Sequence, residues 1–226
     1  MIQVYSLVTQ TPPNLIQILI NTWFQKVDLI KLKKKKTHYI HFKTRNSPSI
    51  DIKIDLKNKL IPIAQFTKFL GLTIESTLLW RIHLNHLTNK LSTACYVIRY
   101  VKPLMSHFHS LFHTVMSYGI IIWGNSCHST QIFWMQNRVI RIIMGFGNRD
   151  FCRTVFKKLK ILPLLLQYML SLLIFVFNNR DQFLINSEIH NINTRHSANL
   201  HLLSANLDIY QKRVYYPGIK IFKSSF

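Results

Sequence analysis

The hydrophobic period of this chain changes near residue 80, and that change constrains the fold more than any single motif. Before it, Ile50-Asp51-Ile52-Lys53-Ile54-Asp55-Leu56 alternates residue by residue, as a half-buried strand does. After it, Leu84, Leu87, Leu91, Cys95, Ile98 and Val101 recur every three or four residues, the stripe of a helix that Pro103 stops. The fold class expected is α+β. A mixed fragment over 1–80 precedes a helical part over 81–180 and a polar, Asn-rich, mixed segment over 181–226.

Finer elements follow from the same periods. Residues 1–9 read as a strand. Pro12 and Pro13 suit a helix start, and Leu15, Leu19, Trp23 and Val27 carry that helix to about Ile30. The run Lys31-Leu32-Lys33-Lys34-Lys35-Lys36 ends it. Thr37 to Phe42 reads as a strand, Asn58-Lys59 as a turn, and Gln65 to Ile74 as a further strand. In the helical part Leu111, Val115, Tyr118 and Ile122 mark a second helix. Phe133 to Met144 marks a third, closed by Gly145 and Gly147, and Pro163 to Asn178 a fourth. No internal repeat is visible.

Charge bears on partners rather than on fold. Against 29 Lys plus Arg stand 8 acids among 226 residues, a net charge of +21, and the usual partner of such a field is a polyanion. Two zones concentrate it: residues 31–60 hold ten cations and two acids, residues 111–180 eight and one. An anionic membrane surface is the competing partner, through the apolar run Ile161 to Phe177 flanked by Lys157, Lys158, Lys160 and Arg180. That run falls short of the ~20 residues a spanning helix needs and contains Pro163, Gln167 and Ser171, so a buried helix is expected. Cys95, Cys127 and Cys152 are odd in number and lack a close pair, which argues for a reducing, intracellular setting, nuclear or cytoplasmic. No signal-peptide pattern opens the chain.

The candidate binding residues are cations. Lys33, Lys34, Lys35 and Lys36 form a compact run able to release counterions from phosphate, or a solvated connector. Arg138 and Arg141 lie three apart on one helix face with Gln136 close by, a backbone contact to a duplex or a solvated helix face. Lys157 and Lys158, with Lys160, are similar. Asp51 and Asp55 flank Lys53 on one strand face, which reads as solvated rather than as a carboxylate pair. His107, His109, His113 and Cys127-His128 lack the short spacing of a structural zinc site, so no metal is expected. Phe108, Phe112, Tyr118, Trp123, Phe133 and Trp134 read as core rather than as base-stacking platforms. No Gly-rich phosphate loop and no nucleophile elbow is present.

Seven blocks in order carry a family resemblance over nearly the whole chain. They are Lys36-Thr37-His38-Tyr39-Ile40-His41-Phe42, Phe69-Leu70-Gly71, Leu79-Trp80-Arg81-Ile82-His83-Leu84, and Leu111-Phe112-His113 with Tyr118-Gly119-Ile120-Ile121-Ile122-Trp123-Gly124. Cys152-Arg153 leading into Phe156-Lys157-Lys158-Leu159, His190-Asn191-Ile192-Asn193-Thr194-Arg195 and Tyr216-Pro217-Gly218-Ile219-Lys220 complete the set. Together they resemble the late palm and thumb of reverse transcriptases, the RNA-directed DNA polymerases, of jockey-like non-LTR retrotransposons. The resemblance implies a C-terminal fragment of such an enzyme, a transposable-element product, with a truncated palm before a helical thumb-like bundle and a Phe-Leu-Gly hairpin near the primer end.

It also implies what chemistry is lost. The family's palm holds Mg²⁺ with two adjacent aspartates. In this chain those positions fall at Gln3 and Val4, neither of which can ligate a hard cation as a carboxylate does. The third metal ligand would lie upstream of Met1, and the family's endonuclease domain is not represented. Between Ser106 and Leu111 the chain looks shorter than the family by roughly two helical turns. The expectation is a degenerate remnant with no catalytic residues and no cofactor. It would retain phosphate contacts to RNA, DNA or an RNA–DNA duplex through Lys33, Lys34, Lys35, Lys36, Arg138, Arg141, Lys157 and Lys158. Polymerase activity completed by another copy is the enzymatic alternative. A basic membrane-associated protein using residues 161–177 is the third.

Overall fold

Leu70 and Gly71 both take positive φ, 46° and 79°, the pair of left-handed conformations that a two-residue hairpin turn demands. They join β1 (Phe66–Phe69) to β2 (Leu72–Glu75), antiparallel, with Phe66 opposite Glu75 and Phe69 opposite Leu72. The single strand expected over Gln65–Ile74 is therefore two short strands, reversed at the Phe-Leu-Gly block. Leu72, Thr73 and Glu75 are buried, while Phe66, Phe69 and Leu70 are exposed. Residues 38–43 run alongside through one parallel bridge, Tyr39 to Ile63, rather than as the strand expected at Thr37–Phe42. The Lys43 amide donates to the Ser76 carbonyl at 3.0 Å, and the His38 Nε2 lies 2.7 Å from the Thr67 hydroxyl.

The structure, a computed structural model, describes residues 38–43, 60–101, 105–147, 152–190, 195–202, 204–206 and 211–225. The expected strand at 1–9, the Pro13–Ile30 helix, the alternating segment 50–56 with Asp51 and Asp55, the Asn58-Lys59 turn and the positions Gln3 and Val4 lie outside them. The chain divides into two units, 1–78 and 79–226. Helix and strand are mixed, so the class is α+β, with both strands in the first unit and the described helices in the second.

The second unit is built on the stripe visible in the sequence. Helix α1 (Arg81–Val101) buries His83, Leu84, Leu87, Leu91, Cys95 and Ile98. Trp80, just before it, adopts φ 62°, a left-handed conformation that costs a non-glycine residue about 1–2 kcal/mol. Its ring is buried and meets His83 edge-on at 6.1 Å, and its carbonyl accepts the Leu84 amide at 2.9 Å. Both contacts hold the strained residue in place.

The line Leu111, Val115, Tyr118 and Ile122 does not form one helix. Helix α2 (Met105–His107) runs into a π-helical stretch, Phe108–His113, then α3 (Thr114–Ser117) and, after a break, α4 (Ile120–Trp123). The wider π turn stacks Phe108 on Phe112 at 5.6 Å, both fully buried. Gly119, at φ 64°, makes the break, and the Trp123 indole N–H closes it by donating to the Tyr118 carbonyl at 3.0 Å. A Cβ on Gly124 would come within 2.5 Å of the Tyr168 ring, so this glycine permits close approach of the helix over Leu164–Asn178.

Helix α5 (Thr130–Met144) packs on α1, buries Ile132, Gln136, Val139 and Ile140, and ends at Gly145, φ 67°. Helix α6 (Arg153–Lys158) is tied to it by Phe156, stacked on Phe133 at 6.3 Å. Helix α7 (Leu164–Asn178) buries Leu164, Tyr168, Leu172 and Val176 and packs on α4, α5 and α9 (Tyr215–Ser225). Between α7 and α9 lie a 3₁₀ turn (Arg180–Gln182) and α8 (Asn186–Ile189). Val176, Phe183, Leu200 and Ile219 form a shared core there, so this polar, Asn-rich end of the sequence still contributes buried packing.

At 15 residues α7 has the extent read from the sequence, but it is not fully buried. Leu166, Leu170, Ile174 and Phe177 are exposed. Among the described residues no helix is long and apolar enough to cross a membrane.

Candidate nucleic-acid interface

Helix α5 sorts its residues by angle. Successive residues turn by about 100°, so Ile132, Gln136, Val139 and Ile140 gather on one side, and Trp134, Arg138 and Arg141 on the other. Arg138 is exposed and Arg141 half-buried. The helix has no acid of its own, and none occurs in the sequence between Glu75 and Asp150.

Gln136 is not part of that surface. It is fully buried, and its amide spans to the start of α7. The side-chain NH₂ donates to the Leu162 carbonyl at 2.9 Å, and the Oε1 accepts the Leu164 amide at 2.9 Å. The second bond satisfies one of the amide groups that a helix N-terminus leaves orphaned. Gln136 is two residues from Arg138 in sequence but about 200° away around the helix.

Cys95 on α1 connects the α5 face to its neighbour. Burial pushes its thiol up to about 11, and Arg138 and Arg99 both lie close enough to pull the other way. Arg99 is exposed, in the last turn of α1, between Tyr96 and Tyr100. α1 likewise has no acid. The two packed helices each carry an exposed arginine, Arg99 and Arg138.

Lys157 and Lys158 are exposed in the last turn of α6, where cations favour the negative end of the helix dipole. The Phe133–Phe156 stack joins that helix to α5. Lys160 is also exposed. Lys33, Lys34, Lys35 and Lys36 lie outside the described residues.

Two aromatic readings need correction. Phe108, Phe112 and Trp123 are fully buried, as core residues, but Tyr118 and Trp134 are exposed, Trp134 at 65%. Tyr96 and Tyr100 were not singled out from the sequence and are the more accessible pair, 67% and 82% exposed, with ring centroids 6.1 Å apart and planes 27° from parallel. Their spacing of four, on the face opposite the leucine stripe of α1, was the signal available for them.

Two histidines serve in packing. His83 is wedged between Trp80 and Trp123, its ring 6.3 Å from the latter, and burial with nearby His86 and Lys90 lowers its pKa. His113 is lowered by burial and by His109, against a hydrogen bond that its ring donates to Gln167. Among the described residues no three His, Cys, Asp or Glu side chains gather to hold a metal ion. Cys95, Cys127 and Cys152 are free thiols, the first and third buried. The chain matches no protein-family model, no curated protein and no solved structure.

Proposed function

We propose that the chain is a degenerate late-palm and thumb-like piece of a non-LTR retrotransposon reverse transcriptase that binds nucleic-acid backbone without chemistry of its own. One observation carries the binding reading: Arg138 and Arg141 stand on one face of a helix whose other face is locked into the core, in a stretch of sequence with no acid. A fixed helix presents guanidiniums to phosphate at little further entropic cost, and phosphate contacts read no bases. The tight turn at Leu70-Gly71 supports the family reading, because the resemblance expects a hairpin at Phe-Leu-Gly. Loss of chemistry follows from Gln3 and Val4 at the positions of the metal-binding aspartates.

The test is titration of labelled duplexes of unrelated sequence at several salt concentrations. Similar affinities for all of them, falling steeply with salt, support the reading. Strong preference for one sequence, or no binding at low salt, overturns it.

One observation favours a second reading, an anionic membrane surface. The outer side of α7 is apolar at Leu166, Leu170, Ile174 and Phe177, with Lys157, Lys158, Lys160 and Arg180 on either side of it in sequence. Such a face lies in the plane of a bilayer rather than across it. Sedimentation with anionic vesicles but not with neutral ones would support that role.

A further inference from the structure

Exposed aromatic rings on a helix are costly to leave in water and useful to a ligand that carries flat apolar faces. Two packed helices of the second unit carry them, and in each case arginine stands beside the ring. On α1 these are Tyr96, Arg99 and Tyr100; on α5, Trp134, Arg138 and Arg141. The spacings, i to i+3 and i+4 on α1 and i to i+4 and i+7 on α5, place each set along one side of its helix. The opposite sides, Leu84 to Ile98 and Ile132 to Ile140, are buried.

We propose that Tyr96, Tyr100 and Trp134 are stacking platforms for unpaired bases, and that Arg99, Arg138 and Arg141 hold the intervening phosphates of a single strand. The proposal rests on the nucleic-acid reading and deepens it, from backbone contact with duplex to a preference for single-stranded RNA or DNA.

Three observations favour this occupant over a protein partner or a second copy. First, neither helix has an acid, so charge complementarity points to a polyanion. Second, ring and cation alternate along α1 and share one side of α5, and basic side chains beside stacking rings are how single strands are held. Third, the Tyr96 and Tyr100 rings lie nearly parallel, 6.1 Å apart and mostly in solvent, so each offers an open face. In a duplex the bases are already stacked on one another and offer no face to these rings.

The test compares a labelled oligothymidylate with a blunt duplex of the same length, by anisotropy across a salt series. Wild type should prefer the single strand. Tyr96→Ala with Tyr100→Ala should weaken oligothymidylate binding about tenfold or more, leave the duplex nearly unaffected, and leave the salt slope unchanged, because stacking releases no counterion. The Tyr96→Phe, Tyr100→Phe variant should retain binding. Arg99→Gln should flatten the single-strand slope by about 0.7. In a Trp23→Phe background oligothymidylate should quench tryptophan fluorescence, and adding Trp134→Phe should remove most of the quench, since Trp80 and Trp123 are buried.

Equal loss of single-strand and duplex affinity in the alanine variant, or none, overturns the stacking proposal while leaving backbone binding intact. Absence of any binding by wild type instead removes the nucleic-acid reading and this proposal with it. Circular-dichroism melting separates loss of fold from loss of contact, and side chains this exposed should leave the melt unchanged.

Discussion

Replacing Gln136 by Leu should unfold the second unit more easily without touching the proposed binding surface. The Gln136 amide serves two backbone groups at once, the part-buried Leu162 carbonyl and the buried Leu164 amide, each at 2.9 Å. Leucine has similar bulk, so the change leaves little cavity, and the cost is two polar groups left without a partner. Each such group costs roughly 1–3 kcal/mol. Greater apolar burial by the leucine offsets part of this, leaving a net loss of about 2–5 kcal/mol. For a unit of this size that lowers Tm by roughly 5–15 °C. Urea denaturation followed by helical circular dichroism reads it directly, with the midpoint falling and the m value unchanged. Nucleic-acid binding measured well below the melt should keep the wild-type salt slope. A variant as stable as wild type would refute the clamp. A stable variant with a flattened slope would place Gln136 on the binding surface instead.

Gly124→Ala should destabilise by about 1–3 kcal/mol in the same urea assay, because its Cβ would press on the Tyr168 ring and the Ile120 carbonyl. Stability should fall on acidification. The folded-state pKa values of His83 and His113 are depressed, so their contribution is complete above the ordinary histidine value near 6.5. It is lost as pH drops below that, where the unfolded chain takes up protons first. Tm measured from neutral to mildly acidic pH checks this, and His83→Phe should make the decline shallower. Purified chain given primer, template and Mg²⁺ or Mn²⁺ should extend nothing if the proposed family reading holds, because it puts Gln3 and Val4 where carboxylates would bind the cations. Template-dependent extension that survives stringent purification would contradict that.

Periodicity made much of the second unit legible. The stripe from Leu84 to Ile98 became the buried face of α1, and Gly145 ended α5 in the left-handed conformation expected of a helix-closing glycine. The misreadings have local physical causes. Apolar residues at three- and four-residue steps from Leu111 to Ile122 look the same whether the helix is regular or widened. The π stretch at Phe108–His113 and the positive φ of Gly119 leave no mark in that pattern. The hairpin was hidden because residues on either side of Leu70-Gly71 favour strand, and the turn puts leucine, not the usual asparagine or aspartate, in a left-handed conformation. Helix α9 contains Pro217 and Gly218, both poor helix formers, yet its burial against α7 overrides propensity. At Gly218 an added Cβ would lie 2.9 Å from Val176, so the small residue is what that packing requires.

The candidate site was legible in its cations and not in its geometry. The spacing of Arg138 and Arg141 placed them on one helix face, which the structure retains. Gln136 was misassigned because closeness in sequence is not closeness around a helix. Tyr96 and Tyr100 were overlooked because aromatics usually mark core, and their exposure depends on which side of α1 meets α5.

The central claim is that the Arg138–Arg141 face binds phosphate. Its most direct test is the slope of log affinity against log salt for a duplex, wild type against the Arg138→Gln, Arg141→Gln double variant. Each phosphate contact contributes about 0.9 to that slope. The account predicts a slope flattened by about 1.8, weaker binding at low salt, and an unchanged melt. An unchanged slope in a folded variant would contradict it, and the charge of this face would then serve something other than nucleic acid.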